Sequence, residues 1–460
     1  RETTAHALHG IVEVLGHIPE VLRDIRDTAA RVGAWRPHLC LLADAADYNI
    51  RLAQAIKRRR PDLPIVYWLC PQIWAWRIGR ISQLRRYFDA RLCIVPFEPA
   101  WYAQFGVKAE YVGHPAVARI AKDRQRRRGE LGLAPVEAPL RSPAPLVHTA
   151  PLGGAPQRAR ADEELAHADE ELAQAMCAQL GVAGERVVAL LPGSRGKEIR
   201  GMLPVMLAAI DAWQGRRAAA GLAGVRPVIS VAPSRKLDEY RALVERYAHL
   251  RPILLVPPGM AQMPSAGQRA GESSGAPRAS LGGPGASSDD AQAAFTTTAP
   301  WADGVTVARG SSFDAVRIAD RAAVCSGTAA LETALLGCVH VVCYRVHWLT
   351  AWIARWLVQV RFASLANLVL GRAAVPELLQ GACTPERLVA EFERLEHPAE
   401  AQAQLVALDQ VHERFGSWDA AERAAARIAH DVFGAPHACL HAVGMHDELG
   451  SLGTSEPTQG

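Results

Sequence analysis

The sequence is short of several features that would classify it at once. No Cys-x-x-Cys pair occurs in its 460 residues; the nine cysteines are odd in number and scattered, several inside apolar runs. That excludes a disulfide-stapled design and a zinc-finger spacing, and it points to buried reduced thiols in a reducing compartment such as the cytosol. No stretch reaches the ~18 uninterrupted apolar residues of a spanning helix, and the start of the chain has no signal-peptide pattern. An excess of one charge is missing as well: 51 Lys and Arg against 47 Asp and Glu leave +4. That is too little to argue for nucleic acid, though compatible with phosphates or an anionic membrane surface.

What remains is an ordinary globular composition, 49% apolar and 21% charged, with a mean hydropathy of zero. Such a chain is not disordered overall, and at ~150 residues per domain its length allows about three domains.

Short apolar runs bounded by turn residues alternate with helical stretches. Residues 39–43, 65–69 and 92–95 are expected strands of a first unit, and 187–191, 228–231, 253–256, 322–325 and 339–344 of a second. This alternation predicts parallel sheets with helical crossovers, one before and one after residue ~180. Between Ile11 and Val32 the helical spacing predicts an amphipathic helix pair broken near Gly16 to Pro19. Residues 121–160 carry Arg124, Arg126, Arg127 and Arg128 and then six prolines from Pro135 to Pro156, a composition expected of a flexible insertion. Its end echoes Asp162-Glu163-Glu164-Leu165-Ala166 in Asp169-Glu170-Glu171-Leu172-Ala173, a charged helix. A Gly/Ser/Ala/Pro-rich stretch within 257–300 and the tail after Gly444 are expected to be disordered. The division that follows is an N-terminal unit over 1–120, an insertion and charged helix over 121–180, a C-terminal unit over 181–430 and a tail over 431–460.

Two strand-to-helix corners are the candidates for chemistry. In the first, Leu191-Pro192 runs into Gly193-Ser194-Arg195-Gly196. Glycines let a backbone approach a phosphate, the following helix start offers N–H groups, and Arg195 adds a guanidinium fork. A plain turn with solvated charges is the equal alternative. The second is Cys325-Ser326-Gly327-Thr328, with Glu332 one helical turn beyond Thr328. Hydroxyls and backbone donors there suit a diphosphate, and the carboxylate suits two ribose hydroxyls; N-capping is the ordinary alternative. Two such corners in one sheet favour a ligand, because ligands bind at strand C-terminal ends in open α/β sheets.

Asp44, directly after the strand 39–43, is a candidate general base, with helix capping as the alternative. Trp74 and Arg77 suit a sugar or an acyl chain as well as they suit a core. Trp348, Trp352 and Trp356 recur at every fourth residue among arginines, as on an interfacial membrane helix, a helix packed on its own domain or a contact with a second copy of the chain. His114, alone in a turn, is expected to be structural.

In order along the chain stand Gly10-Ile11-Val12-Glu13-Val14-Leu15-Gly16, Trp74-Ala75-Trp76-Arg77, Pro96-Phe97-Glu98, Val112-Gly113-His114, Leu191 to Arg195, Ser326 to Glu332, Ser364-Leu365-Ala366-Asn367-Leu368 and Pro376 to Gln380. Each is weak alone; as a series they resemble the lipid-A-disaccharide synthases, over most of 10–120 and 185–430. The resemblance implies an α/β chain of GT-B type, with two Rossmann-like domains facing a cleft. It implies inverting transfer of 2,3-diacylglucosamine from its UDP donor to 2,3-diacylglucosamine 1-phosphate, with no cofactor or metal ion, by a peripheral protein on the cytoplasmic face of the inner membrane. Carried over to this chain, Gly193, Ser194 and Arg195 would hold the donor diphosphate. Ser326, Gly327, Thr328, Glu332 and Asn367 would bind UDP, and Asp44 would be the base.

Ala46, Tyr48 and Ala366 depart mildly from the family pattern. The family also has a strand and a Gly-Glu-x-Ser-Gly-Asp loop upstream of the Gly-Ile-Val-Glu motif, so the resemblance implies an incomplete N-terminal domain here. Two competing expectations are another GT-B enzyme using a UDP-sugar and an inactive membrane-associated fragment. A homodimer is kept among the partners.

Overall fold

The computed structural model describes residues 11–75, 77–135, 155–257, 299–302, 304–346, 352 and 360–436. The stretch expected to be disordered within 257–300, the proline-rich part of 136–154, the tail after Gly444, and Trp348 and Trp356 lie outside the described residues.

The first unit is built on a four-stranded parallel sheet in simple order: β1 (Cys40–Ala43), β2 (Ile65–Trp68), β3 (Ala90–Cys93) and β4 (Glu110–Tyr111). Around it lie α1 (Ile11–Trp35), α2 (Ala46–Arg59), α3 (Ile81–Tyr87) and α4 (Glu98–Ala103). The expected break in the first helix does not occur, because α1 runs through Pro19. A proline removes one intrahelical hydrogen bond, and packing sustains the helix beyond it: Ile25 and Ala29 are buried with Ile50, Ala53 and Ile56 of α2.

Helix α5 (Pro115–Glu130) leads to α6 (Ala155–Leu180) and the second unit. The arginine run expected in a flexible insertion sits on α5 instead and fastens it. Arg127 is buried and paired with buried Asp314, and Arg317 donates to Asp123 at 2.5 Å. Arg124 donates to Asp169 at 2.6 Å and Arg128 to Glu171 at 2.7 Å, both on α6. Composition alone misread this segment, because the partners of Arg124, Arg128 and, at Asp314, Arg127 lie far along the chain. The expected boundary at residue 120 falls inside this one helix.

The second sheet has eight strands in the order β12-β11-β10-β5-β6-β7-β9-β8. They are β5 (Arg186–Leu191), β6 (Val225–Ser230), β7 (Ile253–Val256), β8 (Ala299–Ala302), β9 (Val305–Arg309), β10 (Arg321–Cys325), β11 (His340–Tyr344) and β12 (Glu377–Leu379). Only β8 is antiparallel to its neighbour. Helices α7 (Gly196–Ala219), α8 (Asp238–Val244), α9 (Ser312–Arg317), α10 (Thr328–Leu335), α11 (Leu365–Leu370), α12 (Pro385–Glu396) and α13 (Pro398–Phe415) complete the unit.

Val188 and Leu190 join the core on one face of this sheet, Val187, Ala189 and Leu191 the core on the other. A strand buried on both faces has to be apolar throughout, which is why it stands out as an unbroken run in the sequence. Val95, at the C-terminal end of the first sheet, packs into the second of these cores together with Val117. The C-terminal ends of the first sheet therefore face the second unit.

The last helix, α14 (Ala420–Phe433), crosses back. Its Ala424 is buried against Val66, Leu92 and Val112 of the first unit, and Arg427 pairs with Glu110. Residues near 430, which the sequence reading grouped with the second unit, thus complete the first core.

Candidate functional site

Strand β10 lies beside β5, with Val324 opposite Leu191. From β5 the chain winds outward through β6, β7 and β9, then returns to β10 and continues the other way to β11 and β12. The point between β5 and β10 is where the winding reverses, and there the helices diverge to leave a crevice. The two glycine corners stand at the C-terminal ends of these two strands, so they are immediate neighbours.

In the first corner, Gly193 has φ of +102°, and a Cβ there would lie 2.5 Å from Oε2 of Glu198. Only glycine fits, both for its conformation and for this close approach. Glu198 accepts hydrogen bonds from the backbone N–H of Ser194 at 3.1 Å and of Arg195 at 3.2 Å, and its other oxygen takes the Arg195 guanidinium at 3.2 Å. This corrects one expectation: those two N–H groups are engaged inside the chain. The turn presents to solvent the Arg195 side chain, 57% exposed. Glu198 was overlooked, although a glutamate three residues after the N-cap is a recognisable capping signal.

In the second corner Gly327 has φ 138° and ψ −155°, a region nearly reserved to glycine. A Cβ there would meet nothing within 4 Å, so the glycine serves the backbone turn rather than space. Ser326 donates its N–H to Cys343 O at 3.2 Å and its hydroxyl to Ala363 O at 3.4 Å. Gly327 and Thr328 are exposed at the start of α10. Glu332, one turn in, is nearly buried and forms an ion pair with Arg119 of α5. Arg119 has no signal in the sequence, because nothing local links α5 to α10.

Asn367 is fully buried, and its amide is saturated within the chain. Nδ2 donates to Val375 O at 2.8 Å and to Glu377 Oε1 at 2.7 Å, while Oδ1 accepts from the N–H groups of Ala374 and Val375. With both protons and both lone pairs engaged, it does not reach a nucleotide directly, which corrects that expectation. It fixes Glu377, whose carboxylate also accepts the N–H groups of Ala363 and Ser364.

Asp44 ends β1 with its side chain exposed, two strands from β3 and so about 10 Å along the same edge of the sheet. Both Asp44 (φ 53°) and Ala45 (φ 39°) are left-handed, a strained pair for non-glycine residues. The strain is held by hydrogen bonds to the backbone. Tyr67 donates its hydroxyl to Asp44 O at 2.5 Å, and Asn49 donates to Ala43 O at 2.8 Å and Asp44 O at 2.7 Å. The capping alternative does not apply, since α2 has no side-chain cap.

Next to it, Arg77 donates to Asp47 at 2.5 Å, and Arg80 pairs with the same carboxylate. Burial pushes the Asp47 pKa up, but the hydrogen bonds and charges of Arg80 and Arg77 outweigh it and leave the carboxyl below its ordinary value.

Trp74 corrects another expectation. It is buried, donates its indole N–H to Glu98 at 2.9 Å and packs edge-on to Phe97, so it belongs to the core rather than to an acceptor surface. Burial raises the Glu98 carboxyl to about 7, against the lowering effect of hydrogen bonds from Trp74, Val95 and Ile94. His114 caps α5, accepting the N–H of Ala116 at 3.1 Å; burial, helped by the charge of Arg119, pulls its pKa down to about 4. Trp352 is 59% exposed. Among the described residues no helix is long and apolar enough to cross a membrane.

Two parallel α/β units whose strand ends face each other, the second doubly wound and the last helix crossing back to the first, form the arrangement of GT-B glycosyltransferases. The family described as lipid-A-disaccharide synthetase matches residues 1–137 and 300–428, and the chain belongs to that family. The lipid-A-disaccharide synthase of Myxococcus xanthus is 30% identical over 421 residues, covering 91% of this chain and 82% of its own. That of Anaeromyxobacter dehalogenans strain 2CP-1 is 31% identical over 427 residues, covering 92% and 82%. A solved UDP-GlcNAc 2-epimerase from Neisseria meningitidis superposes with a TM-score of 0.45 at 7% identity, covering 91% of this chain and 82% of the other. Membership makes the protein a glycosyltransferase of lipid A biosynthesis.

Proposed function

We propose that the chain transfers 2,3-diacylglucosamine from UDP-2,3-diacylglucosamine to 2,3-diacylglucosamine 1-phosphate, with inversion at the anomeric carbon. The observation that carries this reading is the adjacency of the Gly193 and Gly327 corners at the switch point, with Asp44 at the facing end of the first sheet. The acceptor 6-hydroxyl oxygen forms its bond to the anomeric carbon as the bond from that carbon to the diphosphate oxygen breaks. The hydroxyl proton passes to the Asp44 carboxylate, and UDP departs with the bonding electrons. Arg195 meets the charge that grows on the departing diphosphate, together with the hydroxyls of Ser326 and Thr328. Glu332 accepts the ribose hydroxyls.

Two assays test this reading. Turnover with UDP-2,3-diacylglucosamine and not with UDP-N-acetylglucosamine is the expected result; the reverse preference would assign the chain to another branch of UDP-sugar enzymes. Arg195→Ala is expected to weaken UDP binding by ~1.5–3 kcal/mol, the scale of hydrogen bonds to a charged group. Unchanged affinity by calorimetry removes Arg195 from the site.

The acceptor and the donor both carry acyl chains, so the enzyme has to work at a lipid surface, as a peripheral protein on the cytoplasmic face of the inner membrane. The exposed indole of Trp352 supports a contact there. Trp352→Ser should lower co-sedimentation with anionic vesicles, and equal partitioning of variant and parent would return the residue to a contact within or between chains.

A further inference from the structure

Glu332 sits on α10 one turn beyond Thr328 with a side chain only 9% exposed, and among the described residues its ion-pair partner is Arg119. Arg119 comes from outside the sheet that forms the crevice. It projects from α5, lies 5.6 Å from the ring of Phe313 and remains 58% exposed. Its aim is set by the next two turns of the same helix, where Asp123 meets Arg317 and Arg127 meets Asp314. Positions 119, 123 and 127 form one stripe at four-residue spacing, so the two locked turns hold the third.

A carboxylate this buried and without a cation favours its neutral form. A neutral acid is a poorer acceptor for two hydroxyl donors, whereas an ionised one has about four acceptor positions, enough for a guanidinium and two hydroxyls together.

We propose that Arg119 is a positioning residue for donor recognition: from the helix that joins the two units, it supplies the counter-charge to Glu332 and orients it toward the ribose hydroxyls. The inference rests on the reading of Glu332 as the ribose acceptor and adds to it the group that makes Glu332 competent. Selectivity for the 2′-hydroxyl then depends on a residue of the inter-unit helix.

The test is calorimetric binding of UDP and of 2′-deoxy-UDP to the full chain and to Arg119→Gln, Arg119→Lys and Glu332→Gln. The parent is expected to favour UDP by about tenfold, the scale of a hydrogen bond to a charged group. Glu332→Gln and Arg119→Gln should both lose most of that preference, with little change toward the deoxy ligand, and Arg119→Lys should keep it. If Arg119→Gln retains the preference while Glu332→Gln loses it, Glu332 acts alone and the role of Arg119 is overturned. Tighter UDP binding by Arg119→Gln overturns it as well, since Arg119 would then compete with the ribose. A preference unchanged in Glu332→Gln defeats the ribose reading itself.

Discussion

Asp44→Asn is expected to lower turnover by about 10²–10⁴-fold, the contribution of a positioned general base, and to leave UDP affinity unchanged. The substitution is clean for a structural reason. Residue 44 is left-handed, and asparagine tolerates that conformation nearly as well as aspartate does. The bonds that hold the turn, from Tyr67 and Asn49, end on the backbone carbonyls of residues 43 and 44 and do not involve the carboxylate. What changes, on the proposed mechanism, is the ability to take a proton from an attacking hydroxyl. Asp44→Ala would mix that loss with strain, so the asparagine variant is the informative one. Parental turnover in Asp44→Asn, measured with UDP-2,3-diacylglucosamine and its acceptor, would move the base elsewhere.

A second large effect is expected on stability. Asp314 is fully buried, and one of its oxygens accepts the N–H and hydroxyl of Ser311 at 2.7 and 2.9 Å while pairing with Arg127. Asp314→Ala removes one half of the capping box at the start of α9, whose N-cap is Ser311, and leaves the buried Arg127 guanidinium beside Glu130 at 2.7 Å. Breaking a buried pair from one side costs ~3–5 kcal/mol, because the surviving charge stays desolvated. The urea midpoint should fall accordingly. Removing both charges, as Arg127→Met with Asp314→Ala, should cost less than Asp314→Ala alone. A single variant as stable as the parent would show that water reaches the seam between α5 and the second unit.

The legible parts of the fold share a physical property. Strands such as Val187 to Leu191 and Ala322 to Cys325 are covered on both faces, so burial demands unbroken apolar runs with glycine turns at their ends. Strands β4 and β12 gave no such signal. They have two and three residues, and their extended form comes from their neighbours rather than from their own composition. At the candidate site, the two corners that hold Gly193, Arg195, Ser326 and Gly327 were readable from their glycines and the apolar strands before them. The internal engagement of Asn367 and the burial of Trp74 were not, because their partners, Glu377 and Glu98, are identified only when the loops are folded.

Local sequence was enough to decide that the chain alternates strands and helices, that two glycine corners follow buried strands, and which carboxylate follows the first strand. Each of these depends on the conformational and hydrogen-bonding character of residues close in the chain. The folded chain decided the rest: β10 lies against β5, the arginine run of α5 forms a seam instead of a loop, and Arg119 reaches Glu332. Those outcomes are set by burial and by charge pairing between distant segments, and such pairings leave no periodicity for a local reading to find.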